Sequence, residues 1–172
     1  MARATTADAR SGTFHDVSWS AAVFAGVLAG LAWFAWRILV SWWVGEPPWR
    51  TASLIASLVL GGDVVQLSKL FDPKVAGTAA IVHFGLSILL ACILAPALTR
   101  LSMTGAIIAG VVYGAVLYLI NLHVIAPLFL PWMTELSGVI TFVSHLLFGL
   151  VLGYTYKLAD AARQKSRLTR NT

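Results

Sequence analysis

Four stretches of the chain are almost continuously apolar, at about residues 19–44, 75–98, 105–126 and 138–157. None of them alternates between apolar and polar positions, so the pattern predicts helices rather than strands. Each is near or above the roughly 20 residues needed to cross a hydrocarbon layer. Backbone groups in lipid must be satisfied within the segment, which a helix achieves. The expected fold class is an all-α membrane protein with four transmembrane helices. The first run begins late and is rich in tryptophan, so it reads as a retained span rather than a cleaved leader.

The four runs fall into two hairpins of similar sequence. Residues 22–40 (AVFAGVLAGLAWFAWRILV) and 106–124 (AIIAGVVYGAVLYLINLHV) align without a gap, with six identities in nineteen positions. Both carry a G-x-x-x-G pair, Gly26/Gly30 and Gly110/Gly114, and both place a polar residue seven positions later, Arg37 and Asn121. Both are followed by a Pro-Trp step, Pro48-Trp49 and Pro131-Trp132. The next run of each half holds a histidine and then small residues at four-residue spacing, His83-Ser87-Ala91 and His145-Gly149-Gly153. The expected organisation is a bundle over 17–158 built from tandem repeated hairpins, repeat one at 19–98 and repeat two at 105–157. Both hairpins start on the same side, so a pseudo-two-fold axis along the membrane normal should relate them.

The connections differ. Residues 51–70 (TASLIASLVLGGDVVQLSKL) contain an apolar run too short to span, broken at Gly61-Gly62-Asp63. This insert in the first half is expected to be a short interfacial or re-entrant helix. The short connection 99–104 predicts a tight antiparallel hairpin of the second and third spans. The apolar, aromatic connection 127–137 is expected to lie in the outer interface.

Composition fixes the solvent. The chain is 59% hydrophobic and 11% charged, with a mean hydropathy of +0.83. A soluble domain of 172 residues cannot hide that much apolar surface. Eight of the twelve Lys and Arg (Arg3, Arg10, Arg100, Lys157, Arg163, Lys165, Arg167 and Arg170) fall on one side, against Arg50, Lys69 and Lys74 on the other. The positive-inside rule then puts both termini in the cytoplasm of a bacterial inner-membrane, multi-pass protein. Residues 1–16 are expected to be disordered. Residues 159–172 form a basic tail suited to anionic lipid. The expected partner is the lipid bilayer, with a homo-oligomer or a larger membrane complex left open; no nucleic acid is expected. The single cysteine, Cys92, allows no internal disulfide.

The candidate chemistry is a polar cluster. Gly26, Gly30, Gly110, Gly114, Gly149 and Gly153 supply small faces for close helix packing in lipid. Helical spacing puts Arg37, His83, Asn121 and His145, one per span, on those faces. Ionisable groups inside a membrane are costly, so the cluster is a candidate ligand-binding site. Three readings stay open. The histidines and Asn121 bridge helices while Arg37 snorkels to Glu46, Asp63 or a lipid phosphate. Alternatively, the four residues line a pocket in which Arg37 takes an anionic or carbonyl oxygen, as of an organic acid or a quinone. In the third reading, His83 and His145 hold haem b as a cofactor. No metal site is expected: zinc would need further ligands, and His123 is on another face while His15 lies in the polar N-terminal segment. No motif pairs a nucleophile with a base, so no catalytic residues are assigned and the chain is not expected to be an enzyme.

Several segments resemble the YagU-like group of small bacterial inner-membrane proteins, whose activity is not established. They are the G-x-x-x-G span running into EPPWR, IVHFGLS, GAIIAGVVYGAVLYLINLHV, and FLPW followed by SHLLFG. The similarity covers about residues 20–157, and the group's two histidines map onto His83 and His145. Relatives are sometimes labelled sodium:proline symporters; four spans without an intramembrane carboxylate give that label little support. The expectation is an accessory or structural membrane protein with a polar site, the alternatives being a transporter acting as an oligomer and a haem- or quinone-binding redox subunit.

Overall fold

A computed structural model describes residues 17–47, 49–67 and 71–170. Helix α1 (Trp19–Val44) ends where Gly45 turns left-handed at φ 72°, its N–H reaching back to the carbonyls of Ser41 and Trp42. Only glycine takes that conformation without steric cost, so the residue sets the end of the span. Helix α2 (Arg50–Leu60) stops at Gly61, also at positive φ (89°), and a 3-10 segment Gly62–Leu67 follows. Helix α3 (Pro73–Thr99) starts on a built cap: the Asp72 carboxylate accepts the N–H of Lys74 at 2.8 Å, and Pro73 occupies the first turn. Ser102 caps α4 (Met103–Ile120) in the same way, accepting from the N–H of Gly105 at 3.2 Å.

The third span does not stop at α4. It passes through a π turn, Asn121–Ile125, into the short α5 (Ala126–Phe129). Pro127 supplies the cause. Proline has no N–H and its ring crowds the carbonyl four residues back, here that of His123. The widened turn, in which the Ala126 N–H reaches the Asn121 carbonyl, takes up the misfit. A second 3-10 segment, Pro131–Leu136, leads to α6 (Val139–Arg170).

Four helices are thus long and apolar enough to cross a membrane, Trp19–Val44, Pro73–Thr99, Met103–Phe129 and Val139–Arg170, with a shorter helix after the first. No strand occurs among the described residues. The 32 residues of α6 extend about 48 Å at ~1.5 Å per residue, well beyond a hydrocarbon core of ~30 Å. The basic stretch from Ala159 therefore continues as helix rather than as a separate tail. The expected disorder of residues 1–16 concerns a segment outside the described residues.

Two tandem hairpins make the bundle. In the first, α1 lies along α3; in the second, α4 lies along α6; α1 and α6 join them over a long face. Small residues make these contacts. A Cβ on Gly26 would sit 2.8 Å from the Ile88 Cα, and one on Gly30 2.8 Å from the Ser87 Oγ. In the second hairpin the approach is backbone to backbone: Gly110 faces the Gly149 carbonyl, Gly114 that of His145, and Gly153 that of Ala106. Ala22, Ala25, Ala29, Ala91, Leu98, Leu152 and Tyr156 fill the inner half, and the Tyr156 hydroxyl meets the Thr99 hydroxyl at 2.8 Å.

One connection departs from expectation. The second and third spans do not form a tight hairpin: α3 and α4 share a short turn and then touch only lightly. A strict two-fold would make that seam match the long α1–α6 face. Instead α2, which belongs to the first half alone, packs on α3, and a cavity occupies the space the seam leaves.

Candidate ligand-binding cavity

The cavity holds about 320 Å³, room for roughly ten water-sized groups at ~30 Å³ each. Its walls come from α1, α3, the third span and α6, and its outer side from α2 and the connection before α6. Leucine is the commonest residue on its surface. Arg37, His83, Asn121 and His145 all reach it, joined by Thr51, Ser87 and Thr141. Among the described residues, Arg37 is the only Lys or Arg that lines it, and no Asp or Glu does.

Helical spacing explains how α1 contributes. Trp33 and Arg37 are one turn apart and share a face. Arg37 is only 7% exposed. It does not snorkel to either carboxylate expected for it: Glu46 pairs with Arg50 at 4.0 Å, and Asp63 is exposed. Among the described residues, no carboxylate lies within ion-pair distance of Arg37. Its one hydrogen bond donates to the Thr141 hydroxyl at a long 3.4 Å. A guanidinium has five N–H donors, so most of its hydrogen-bonding capacity faces the cavity.

The two histidines sit differently. His83 donates its Nε2–H to the carbonyl of Gly30 at 2.9 Å, linking α3 to α1. A carbonyl only accepts, so the bond assigns that nitrogen its proton. His145 donates Nδ1–H to the Thr141 carbonyl at 2.8 Å, one turn back on its own helix, and so bridges nothing. Its Nε2 has no hydrogen bond to a described residue. The indole of Trp33 lies against both imidazoles, at 4.9 Å from His83 and 6.4 Å from His145 between ring centroids.

Further polar groups lack partners. Thr51 is 4% exposed, and its hydroxyl has no hydrogen bond. Neither the Asn121 amide nor the Ser87 hydroxyl has a bond to a described residue, although Ser87 is buried. Buried polar groups in folded proteins are as a rule paired. At the cavity, the Thr51 hydroxyl is the buried group among the described residues that departs from this rule.

The side of the cavity formed by α2 and the connection before α6 is latched. Arg50 at the start of α2 meets Glu135 at 3.2 Å, and the indole N–H of Trp132 donates to the Ser57 hydroxyl at 2.9 Å. The Trp132 ring also lies on Gly62, where a Cβ would come within 3.1 Å of it. These contacts hold the Pro131–Leu136 segment, with Met133 and Leu136, over the cavity.

Thr51, Trp33 and Thr141 were not singled out as site residues from sequence. Trp33 precedes Arg37 by four and Thr141 precedes His145 by four, a spacing that could have found both. Thr51 belongs to the insert and has no counterpart in the second half. His123 is exposed against Tyr118 and does not reach the cavity, and His15 lies outside the described residues. Cys92 is half-buried against the apolar core. No group of three His, Cys, Asp or Glu among the described residues could hold a metal ion. Comparison of the chain with protein-family models, with curated proteins and with solved structures finds no match.

Proposed function

We propose that the chain is a small, non-enzymatic, multi-pass protein of a bacterial inner membrane. Both termini are cytoplasmic, and the cavity binds a molecule carrying an anionic or carbonyl oxygen. One observation carries the reading: Arg37 is buried at an apolar cavity, with no described carboxylate within ion-pair distance and a single long hydrogen bond. A buried cation without a close counter-charge costs several kcal/mol. An oxygen ligand offsets that cost, and the Thr51 hydroxyl and the Asn121 amide are further donors lining the same cavity.

The accessory role fits a site in which no motif pairs a nucleophile with a base. A transport path through one chain is not supported, because below the cavity Leu98, Leu152 and Tyr156 are fully buried and close the bundle. Haem between the histidines is not supported either: ligation through His83 Nε2 breaks its bond to Gly30, and Trp33 lies against both rings. The internal repeat and the resemblance to the YagU-like group rest on the sequence segments that suggested them.

Thermal unfolding in mild detergent tests the reading, with octanoate as the probe. A ligand at 100 times its Kd stabilises the folded state by about 2.7 kcal/mol. Octanoate is expected to raise the melting temperature of the wild type and to leave Arg37→Gln unmoved. Equal shifts in both proteins, or none in either, would overturn it.

A further inference from the structure

The geometry points to a carboxylate-headed, single-chain amphiphile as the ligand, reaching the cavity sideways from the bilayer between α3 and the third span. This inference rests on the binding role proposed for Arg37 and adds what is bound and by which route.

The head follows from charge. Among the described residues, Arg37 is the only Lys or Arg lining the cavity. A carboxylate carries one negative charge and accepts a planar guanidinium in a bidentate pair. A phosphomonoester carries ~1.5–2 charges, and the excess would stay buried without a cation. The Thr51 hydroxyl and the Asn121 amide are further donors without protein partners.

The tail follows from volume and from the walls. About 320 Å³ holds a head and a short piece of chain, and the apolar remainder of a longer molecule must leave by the side that helix packing does not close. The outer side is latched by Arg50–Glu135 and Trp132–Ser57. The inner side is filled by Leu98, Leu152 and Tyr156. On the seam between α3 and α4, the Tyr113 hydroxyl donates to the Leu90 carbonyl at 3.2 Å and pins the two helices together. Leu86 and Ile125 line the cavity and are also 45% and 38% exposed. They mark a mouth that opens on lipid, and the π turn sets the Ile125 side of it.

Photo-crosslinking of the full chain in nanodiscs tests this, using a fatty acid with a diazirine and an alkyne in its tail. A lysophosphatidic acid carrying the same groups serves as the phosphate-headed comparison. Crosslinks mapped by mass spectrometry are expected at Leu86, Leu90 and Ile125 at least fivefold above lipid-facing Val112 and Leu150. Arg37→Gln and Thr51→Val should each reduce them, and Leu86→Trp, which narrows the mouth, should reduce the crosslinks at Ile125. Stronger labelling by the phosphate-headed probe would overturn the carboxylate assignment. Labelling at Met133 and Leu136 would overturn the lateral route, with the Arg37 site intact. Even labelling of all lipid-facing positions, with the octanoate shift still dependent on Arg37, would overturn a long-chain ligand entering from the bilayer and leave the binding role standing. Loss of both signals would remove both.

Discussion

The imidazole of His83, on the second span, donates its Nε2–H to the carbonyl of Gly30, on the first, at 2.9 Å. Gly30 makes this possible: a Cβ there would lie 3.3 Å from that same nitrogen and closer still to Ser87. The bond is both a helix bridge and part of the cavity wall. Interhelical hydrogen bonds in membranes average about 0.6 kcal/mol and reach about 1.7. His83→Leu is therefore expected to lower unfolding stability by about 1 kcal/mol, measured by SDS titration. A loss above about 3 kcal/mol would show that His83 carries more than this bridge.

The glycine contacts should cost more. At Gly110 and Gly149 an added Cβ runs into the facing backbone carbonyl, which cannot move without shifting a whole helix. Gly110→Ala and Gly149→Ala are each expected to destabilise by about 2–3 kcal/mol or more, as overpacking does. Gly77→Ala, with nothing within 4 Å of the new methyl, should be neutral or stabilising by up to ~1 kcal/mol through helix propensity. The same unfolding assay on the three variants checks the contrast.

The outer latch should be weak in stability and visible in dynamics. Arg50–Glu135 is partly exposed, with Glu135 at 73%, and such pairs contribute about 0–1 kcal/mol. Glu135→Gln is expected to leave the melting temperature within a degree or two. Hydrogen exchange in the Pro131–Leu136 segment should rise, and Trp132→Phe, which removes the bond to Ser57, should raise it further.

Topology is open to chemical labelling. In a Cys92→Ala background, Leu168→Cys on the exposed end of α6 is expected to react with a membrane-impermeant maleimide only after cell disruption. Thr134→Cys, on the outer connection, should react in intact cells. The reverse pattern would invert the proposed orientation.

Much of this arrangement was legible in the chain because its causes are local. Continuous apolar runs define the spans, Gly45 and Asp72 mark helix boundaries, and four-residue spacing gathers Arg37, His83 and His145 on inner faces. What escaped depends on contacts between distant elements. Nothing within residues 99–104 indicates that α3 and α4 touch only lightly, or that α2 packs on α3. The partner of Arg37 was misread for a similar reason. Glu46 is close in sequence, yet Arg50 holds it, and Thr141 arrives from a helix a hundred residues away. The π turn has a sequence cause in Pro127, but its effect on the cavity wall needs the fold.

The account depends on Arg37 holding a ligand. The most direct measurement is a native mass spectrum of the chain extracted in mild detergent, taken for the wild type and for Arg37→Gln of matched stability. The expected result is a bound mass of a single anionic or carbonyl-bearing molecule in the wild type, absent from the variant. The same bare mass for both proteins, or a ligand retained equally by both, would contradict it.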